Sequence, residues 1–326
     1  MNLAIIGCGN NGFRHFQSIA KSKKKYLLYL VDSSTSSLNK CKNYLNENPN
    51  TNLNVIFIKN INQIEFNVDI VIVSTTAKPR RSIIEEIYKR HNPKYFILEK
   101  FLFPKIEDYK FCEKLFLKNK TKTWVNQWMS NEFKYIKKYF PSNKKLHFVV
   151  SGNNWGLCCN SVHFIEWFHD LINKEEINID DIKLENQLYE TNRKNYFELF
   201  GSYKLISKNG HSLVISCDRN KLITNTDRQI FINISNNDFD LQAELTQSSL
   251  DYSIVEKKRK ILLSNKLPNS YQSERTLGII ENLINFDKCN LVDYKTSTEH
   301  HLIAHDLFKD IFISNGFDRY SGIAIT

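Results

Sequence analysis

The chain has 326 residues, a length for two domains or one large α/β domain, and is 41% hydrophobic and 25% charged, the make-up of a globular protein and not of a disordered or fibrous one. Its net charge of +10 comes from lysines scattered along the chain, with no basic stripe, zinc-finger or RNA-recognition motif. Nucleic acid is therefore not an expected partner, and an anionic small substrate accounts for the charge as well. No apolar run reaches the length of a membrane span, and the opening MNLAIIGCG enters a strand with no basic leader, so a cytoplasmic location and no membrane partner are expected. The seven cysteines, Cys8, Cys41, Cys112, Cys158, Cys159, Cys217 and Cys289, are odd in number and lack zinc-ligand spacing, as free thiols in a reducing compartment do.

Residues 3–7 read as a short buried strand, and residues 12–22 as a helix with Phe13, Phe16, Ile19 and Ala20 on its apolar face. A second strand over 26–31 ends at Asp32, and the run 33–37 caps a helix that continues to about Tyr44. Further strands are expected at 55–58, 69–74 and 95–98, with helices at 81–89 and 106–117. Nearly all-apolar strands alternating with helices indicate a doubly wound parallel sheet covered on both faces.

The pattern changes after about Thr123. Residues 124–126 suit one more strand of the first domain, 132–139 a helix, 146–151 a strand and 161–172 a strongly apolar helix. Strands are expected at 196–207, 212–216, 229–234, 240–245 and 255–262, with a hairpin at Asn209-Gly210, and helices at 274–285 and 297–315. The expected architecture is α/β: an N-terminal Rossmann domain over 1–122, then an α+β domain with a mainly antiparallel open sheet over 123–326. The second domain is expected to bind substrate and form oligomers, with the last helix packing back on the first domain.

Gly7-Cys8-Gly9-Asn10-Asn11-Gly12 is a GxGxxG turn that follows a predicted strand and opens a predicted helix. Gly7 allows the tight turn, Gly9 lets a pyrophosphate approach the backbone, and Gly12 lets the helix pack on the strand. The helix N-terminus offers amides and partial positive charge to the phosphates. Asp32, at the end of the second strand, has the position of the carboxylate that accepts from the adenosine ribose; it repels a 2′-phosphate, and Ser33 and its neighbours include no arginine. NAD is thus favoured over NADP. Asp32 is equally placed to cap the following helix.

With these residues the chain resembles the Gfo/Idh/MocA oxidoreductases, the glucose–fructose oxidoreductase and inositol dehydrogenase group. The resemblance runs over nearly the whole length. IIGCGNNGFRHFQSI resembles the family's opening, and VIVSTTAKP (71–79) its turn beside the nicotinamide ribose. FILEKF (96–101) resembles its Glu-Lys-Pro motif with Phe101 in place of proline, and WGLCCNSVHFIEW (155–167) its entry into the second-domain helix. CNLVDYKTSTEHH (289–301) resembles its close. The resemblance implies cofactor contacts at Ser74, Thr75, Thr76, Glu99 and Lys100. It makes Lys100 the active-site lysine and His163 the catalytic histidine. Cys159 stands where many members have an aspartate, leaving His163 alone or with Asn160 or Glu166 orienting it or the substrate.

Each of these residues also has a plainer role. Lys100, at the carboxyl edge of the sheet, could polarise a reacting hydroxyl and relay its proton, or pair with Glu99 on the surface. His163 could accept a hydroxyl proton, or be a satisfied core residue. His169 reads as structural. His163 and Glu166 lack a third ligand, so no metal is expected. Trp155 could stack on a sugar or fill the core. Cys158 and Cys159, being adjacent, bridge poorly and are expected to pack near the substrate. Lys78, Arg80 and Arg81 could hold an anionic group or start a solvated helix.

The expected function is an NAD-dependent oxidoreductase acting on the secondary alcohol or ketone of a sugar derivative. Lys100 and His163 handle the proton and the nicotinamide the hydride, with Trp155 and Asn160 also on the substrate. A nucleotide-linked or acidic sugar for surface-polysaccharide synthesis is the preferred substrate class, and a homodimer or tetramer the expected assembly. Two alternatives stand beside this: tightly held NAD driving epimerisation, elimination or glycoside cleavage without net redox, and a non-catalytic NAD-binding sensor or scaffold.

Overall fold

The computed structural model describes every residue except 221–229, 247, 269 and 319, and leaves the side chains of 261 and 262 undescribed. In chain order the first elements are β1 (Asn2–Ile6), α1 (Asn10–Ile19), β2 (Tyr26–Val31), α2 (Thr35–Glu47), β3 (Leu53–Ile58), β4 (Ile70–Val73), α3 (Arg80–Tyr88), β5 (Tyr95–Leu98), α4 (Ile106–Lys118) and β6 (Lys122–Val125). There follow α5 (Met129–Glu132), β7 (His147–Gly152), α6 (Leu157–Leu171), β8 (Ile177–Leu184), β9 (Tyr189–Glu190), β10 (Phe197–Glu198), β11 (Gly201–Ser207), β12 (Ser212–Cys217), β13 (Ile230–Ser235), β14 (Phe239–Leu245), β15 (Ser249–Glu256) and β16 (Ile261–Pro268). The chain closes with α7 (Gln272–Phe286), β17 (Val292–Asp293) and α8 (Tyr294–Ser314). Two compact units result. One holds Met1–Asn126, Ser270–Thr298 and Thr326, the other Gln127–Asn269 and Glu299–Ile325.

The first unit is a seven-stranded sheet in the order β17-β6-β5-β4-β1-β2-β3. All neighbours are parallel except the short edge pair of β17 with β6. β4 and β5 are buried along their whole length, which is why they read as unbroken apolar runs. The order reverses between β1 and β4, the switch point at which such sheets bind ligands. Within this unit α7 lies on α1: the Leu277 amide donates to Ser18 Oγ at 2.9 Å. The segment that returns to the first unit is thus α7, β17 and the start of α8, rather than the whole last helix.

The second unit has an eight-stranded sheet, β16-β15-β14-β13-β7-β12-β11-β8, antiparallel except for β7 with β12. The Asn209-Gly210 hairpin joins β11 to β12, with Gly210 at φ +80°. The expected strand over 196–207 is two strands, because the chain changes partner from β9 to β8. The expected strand over 255–262 is a β15–β16 hairpin turning through the basic run 257–260, where Lys260 adopts φ +53°. Residue 229 of the predicted strand 229–234 lies outside the described residues. The expected helix over 132–139 is α5 followed by a 3₁₀ turn, Lys134–Tyr139. No helix among the described residues is long and apolar enough to cross a membrane.

Candidate cofactor and proton-transfer residues

The turn after β1 is shaped by two glycines. Gly7 adopts φ +91° and donates its amide to Val31 O at 2.8 Å. A Cβ on Gly12 would come within 1.8 Å of Gly7 O, so α1 rests directly on the turn. The turn's outer side is open: a Cβ on Gly9 meets no atom within 4 Å. Gly9 is the N-cap of α1, with no side chain capping the helix and no acid in its first turn. That leaves the amides and positive end of the helix for an anion, and the turn fits a pyrophosphate. Asn10 is exposed and Asn11 half-buried beside it.

Asp32 ties this turn to the end of β2. Its Oδ2 accepts from the Cys8 amide at 2.6 Å and its Oδ1 from the Ser34 amide at 2.8 Å. The helix cap is Ser34, whose Oγ accepts from the Ser37 amide at 3.3 Å. Each Asp32 oxygen keeps a further lone pair, as ribose hydroxyls require. Ser33 is exposed next to it.

The turns after β4 and β5 stand at the same edge. Ser74 donates its amide to Ile6 O at 2.8 Å and its hydroxyl to Gly7 O at 3.1 Å, bringing the β4 turn against the glycine turn. Thr75 and Thr76 follow, half-buried. Glu99 is 4% exposed and anchored from several sides: His15 Nε2 lies 2.9 Å from its Oε1, Asn126 Nδ2 donates to Oε1 at 2.6 Å, and Asn11 Nδ2 reaches Oε2 at 3.4 Å. Burial pushes this carboxyl up, but the bond and charge of His15, the Asn126 amide and the Arg80 charge outweigh it and hold Glu99 below the usual range. An ionised carboxylate only accepts, so His15 Nε2 carries a proton. Its Nδ1 meets Thr276 Oγ1 at 2.8 Å, and Gln272 bonds both Asn126 and Thr276, so α7 completes the network. Glu99 is thus not a surface partner for Lys100. Lys100 follows it, half-buried, and its peptide bond to Phe101 is cis.

The three basic residues after β4 separate. Lys78 is exposed. Arg81 pairs with Asp108 at 2.6 Å and lies over the Phe111 ring. Arg80 is fully buried, and its guanidinium donates to the carbonyls of Thr75 (2.5 Å), Phe101 and Leu102 (2.7 Å). Its side chain is spent on the protein's own backbone, so neither the anion-binding reading nor the solvated one holds for Arg80.

In the second unit His163 lies on α6, 6% exposed, with the Trp128 ring 5.5 Å away. Asn160, one turn before it, donates Nδ2 to Trp155 O at 2.7 Å. Trp155 is fully buried, edge-on to Phe164, and donates Nε1 to Ser216 O at 3.0 Å, as a core tryptophan does. Glu198 caps α6 by accepting from the amides of Cys158 (2.7 Å) and Cys159 (3.2 Å). Cys158 is fully buried and Cys159 half-buried; burial first, then the Glu198 charge, pushes the Cys158 thiol well up. Glu166 accepts from the Ser130 hydroxyl and, at 3.1 Å, from its amide. Burial raises Glu166 to about 7. His169 pairs with His300 at 2.9 Å, and burial followed by the His169 charge holds His300 well below the usual histidine range.

Sequence reading missed His15, Arg80, Asn126, Gln272 and Thr276 as parts of this arrangement. The buried His15 on the helix that opens with GxGxxG was the available signal.

No protein-family model matches the chain, and no curated protein matches its sequence. Solved structures match its fold. UDP-N-acetylglucosamine 3-dehydrogenase GnnA from Acidithiobacillus ferrooxidans aligns at TM-score 0.71 and 11% identity, over 94% of this chain and 96% of that one. An oxidoreductase from Agrobacterium radiobacter, in complex with NAD+, L-tartaric acid and magnesium, aligns at 0.70 and 12%, over 95% and 96%. The transcriptional regulator Gal80p from Kluyveromyces lactis aligns at 0.69 and 14%, over 99% and 95%. The likeness is one of fold, and the fold is the one the sequence motifs imply.

Proposed function

We propose that the protein is an NAD-dependent oxidoreductase acting on a secondary alcohol or ketone of a sugar derivative. The observation that carries this reading is the glycine turn: α1 has no side-chain cap, and the space in front of Gly9 is open. Gly7, Gly9, Asn10, Asn11 and Gly12 would hold the pyrophosphate, Asp32 and Ser33 the adenosine ribose, and Ser74, Thr75 and Thr76 the nicotinamide side. Glu99 and Lys100 would also stand on the nicotinamide side, with Glu99 fixed by His15 and Asn126. A carboxylate at position 32 favours NAD over NADP.

The nicotinamide, when bound, supplies the two-electron acceptor. In this reading Lys100 donates a hydrogen bond to the reacting oxygen and steadies its charge, while His163 takes the hydroxyl proton. Asn160 orients the substrate. Trp155 is left out of the substrate contacts because its indole is buried in the core. Two neighbours support the substrate class and cofactor: one is named for action on a nucleotide sugar, the other was solved with NAD+. A place in surface-polysaccharide synthesis follows from the same reading. So does a homo-oligomer, for which the open face of the second sheet, with Val149, Phe231 and Val255 part-exposed, is the surface. A transcriptional regulator shares the fold, so Lys100 and His163, not the fold, decide between enzyme and sensor.

Fluorescence titration with NADH and NADPH tests the cofactor assignment. Tighter binding of NADH, lost in Gly9→Val, is expected. Equal or absent binding of both would contradict it.

A further inference from the structure

Arg80 is a fully buried guanidinium that donates to three backbone carbonyls. A buried cation is costly unless its donors are satisfied and a counter-charge is near. Here Nη2 meets Thr75 O, Nη1 meets Phe101 O and Leu102 O, and the Arg80 charge helps keep Glu99 ionised. The acceptors lie on two different turns. Thr75 belongs to the turn between β4 and α3; Phe101 and Leu102 are the two residues after Lys100. On the other side of Lys100, Glu99 is fixed by His15 at 2.9 Å and Asn126 at 2.6 Å. The residues flanking Lys100 are therefore anchored on both sides. A planar fork can bond two turns at once, whereas an ammonium is a compact point donor on a flexible stem.

We propose that Arg80 is a positioning residue: its guanidinium staples the Thr75 turn to the Phe101–Leu102 segment and so sets the direction in which Lys100 leaves the sheet edge. The importance of that direction for turnover rests on the oxidoreductase reading; the staple itself does not.

The test uses the full chain as wild type, Arg80→Lys and Arg80→Gln, each with its lysines reductively methylated with ¹³C. The Lys100 methyl signal is assigned by its loss in Lys100→Arg. The expected result is a changed chemical shift of the Lys100 methyl signal in the folded variants, while that of Lys309 of the second unit stays as in wild type. With any substrate found, turnover falls about a hundredfold at little-changed KM, the scale of a catalytic group misplaced by about an ångström. An unchanged Lys100 signal in a folded variant would overturn the proposal. So would failure of both variants to fold, which would make Arg80 a stability residue only. The methyl signal needs neither cofactor nor substrate, so a wild type that fails to bind NADH would overturn the functional reading and leave the Arg80 result standing.

Discussion

His15 Nε2 lies 2.9 Å from Glu99 Oε1, and both side chains are shut away from solvent. His15 sits on the helix that opens with the glycine turn, and Glu99 immediately precedes Lys100. One buried pair thus joins the helix that follows the glycine turn to the residue proposed for proton chemistry. Its energetics have a definite sign. A carboxyl held below its usual value in the fold contributes stability above about pH 4.5, lost as pH falls through the lower folded value. Glu99→Gln should flatten that acid limb. Glu99→Ala, which strands His15 without its partner, should cost about 3 kcal/mol near neutral pH in denaturant melts. A loss below about 0.5 kcal/mol, the size of a surface substitution, would show that the pair holds nothing in place.

Glu166 has the opposite sign. Burial raises it to about 7, against a usual value of 4.5, and the Ser130 bonds offset this only in part. Its contribution is fully present below about pH 4.5 and lost as pH rises through 7, on the order of 3 kcal/mol across the window. Glu166→Gln should remove this loss and make the protein less sensitive to pH between slightly acid and slightly alkaline buffer. Melts of wild type and variant with parallel pH profiles would contradict the assignment.

The two glycines of the turn should separate folding from binding. Gly9→Ala adds a methyl that meets no protein atom within 4 Å, at ordinary backbone angles (φ −62°), so the fold should melt as wild type while NADH affinity falls tenfold or more, about 1.4 kcal/mol. Gly12→Ala would put its methyl 1.8 Å from Gly7 O, so it should destabilise the first unit as well, by the roughly 1–3 kcal/mol of overpacking. Equal NADH affinity in Gly9→Ala and wild type would remove the pyrophosphate from this turn.

Asp32→Ala should weaken NADH and narrow the gap to NADPH, because it removes the ribose acceptor and the charge that repels a 2′-phosphate. It also removes the acceptor of the Cys8 amide at 2.6 Å, so some loss for both cofactors is expected. The informative quantity is the ratio of the two dissociation constants. A ratio unchanged from wild type would assign Asp32 to holding the turn alone.

Much of the fold was legible because its signals are local. Fully buried parallel strands such as β4 and β5 read as apolar runs, and GxGxxG carries its own strand and helix context. β8 was missed because it is an exposed strand with Asp180 and Asp181 at its centre, which hides any alternation. The β15–β16 turn was missed because its basic residues carry no glycine, proline or asparagine to mark it. At the site, single residues in motifs could be named, but their partners could not. Thr276 lies 261 residues from His15, and the acceptors of Arg80 are backbone carbonyls, which leave no mark in side-chain identity.

Oxidoreduction with proton handling at Lys100 and His163 is tested most directly by following NADH absorbance while the protein, with NAD+, is offered a panel of sugar derivatives including nucleotide-linked ones. NADH should accumulate with at least one of them, and Lys100→Ala and His163→Ala should each abolish this while still binding NAD+. NAD+ binding without NADH from any member of the panel, or full turnover in both variants, would contradict it.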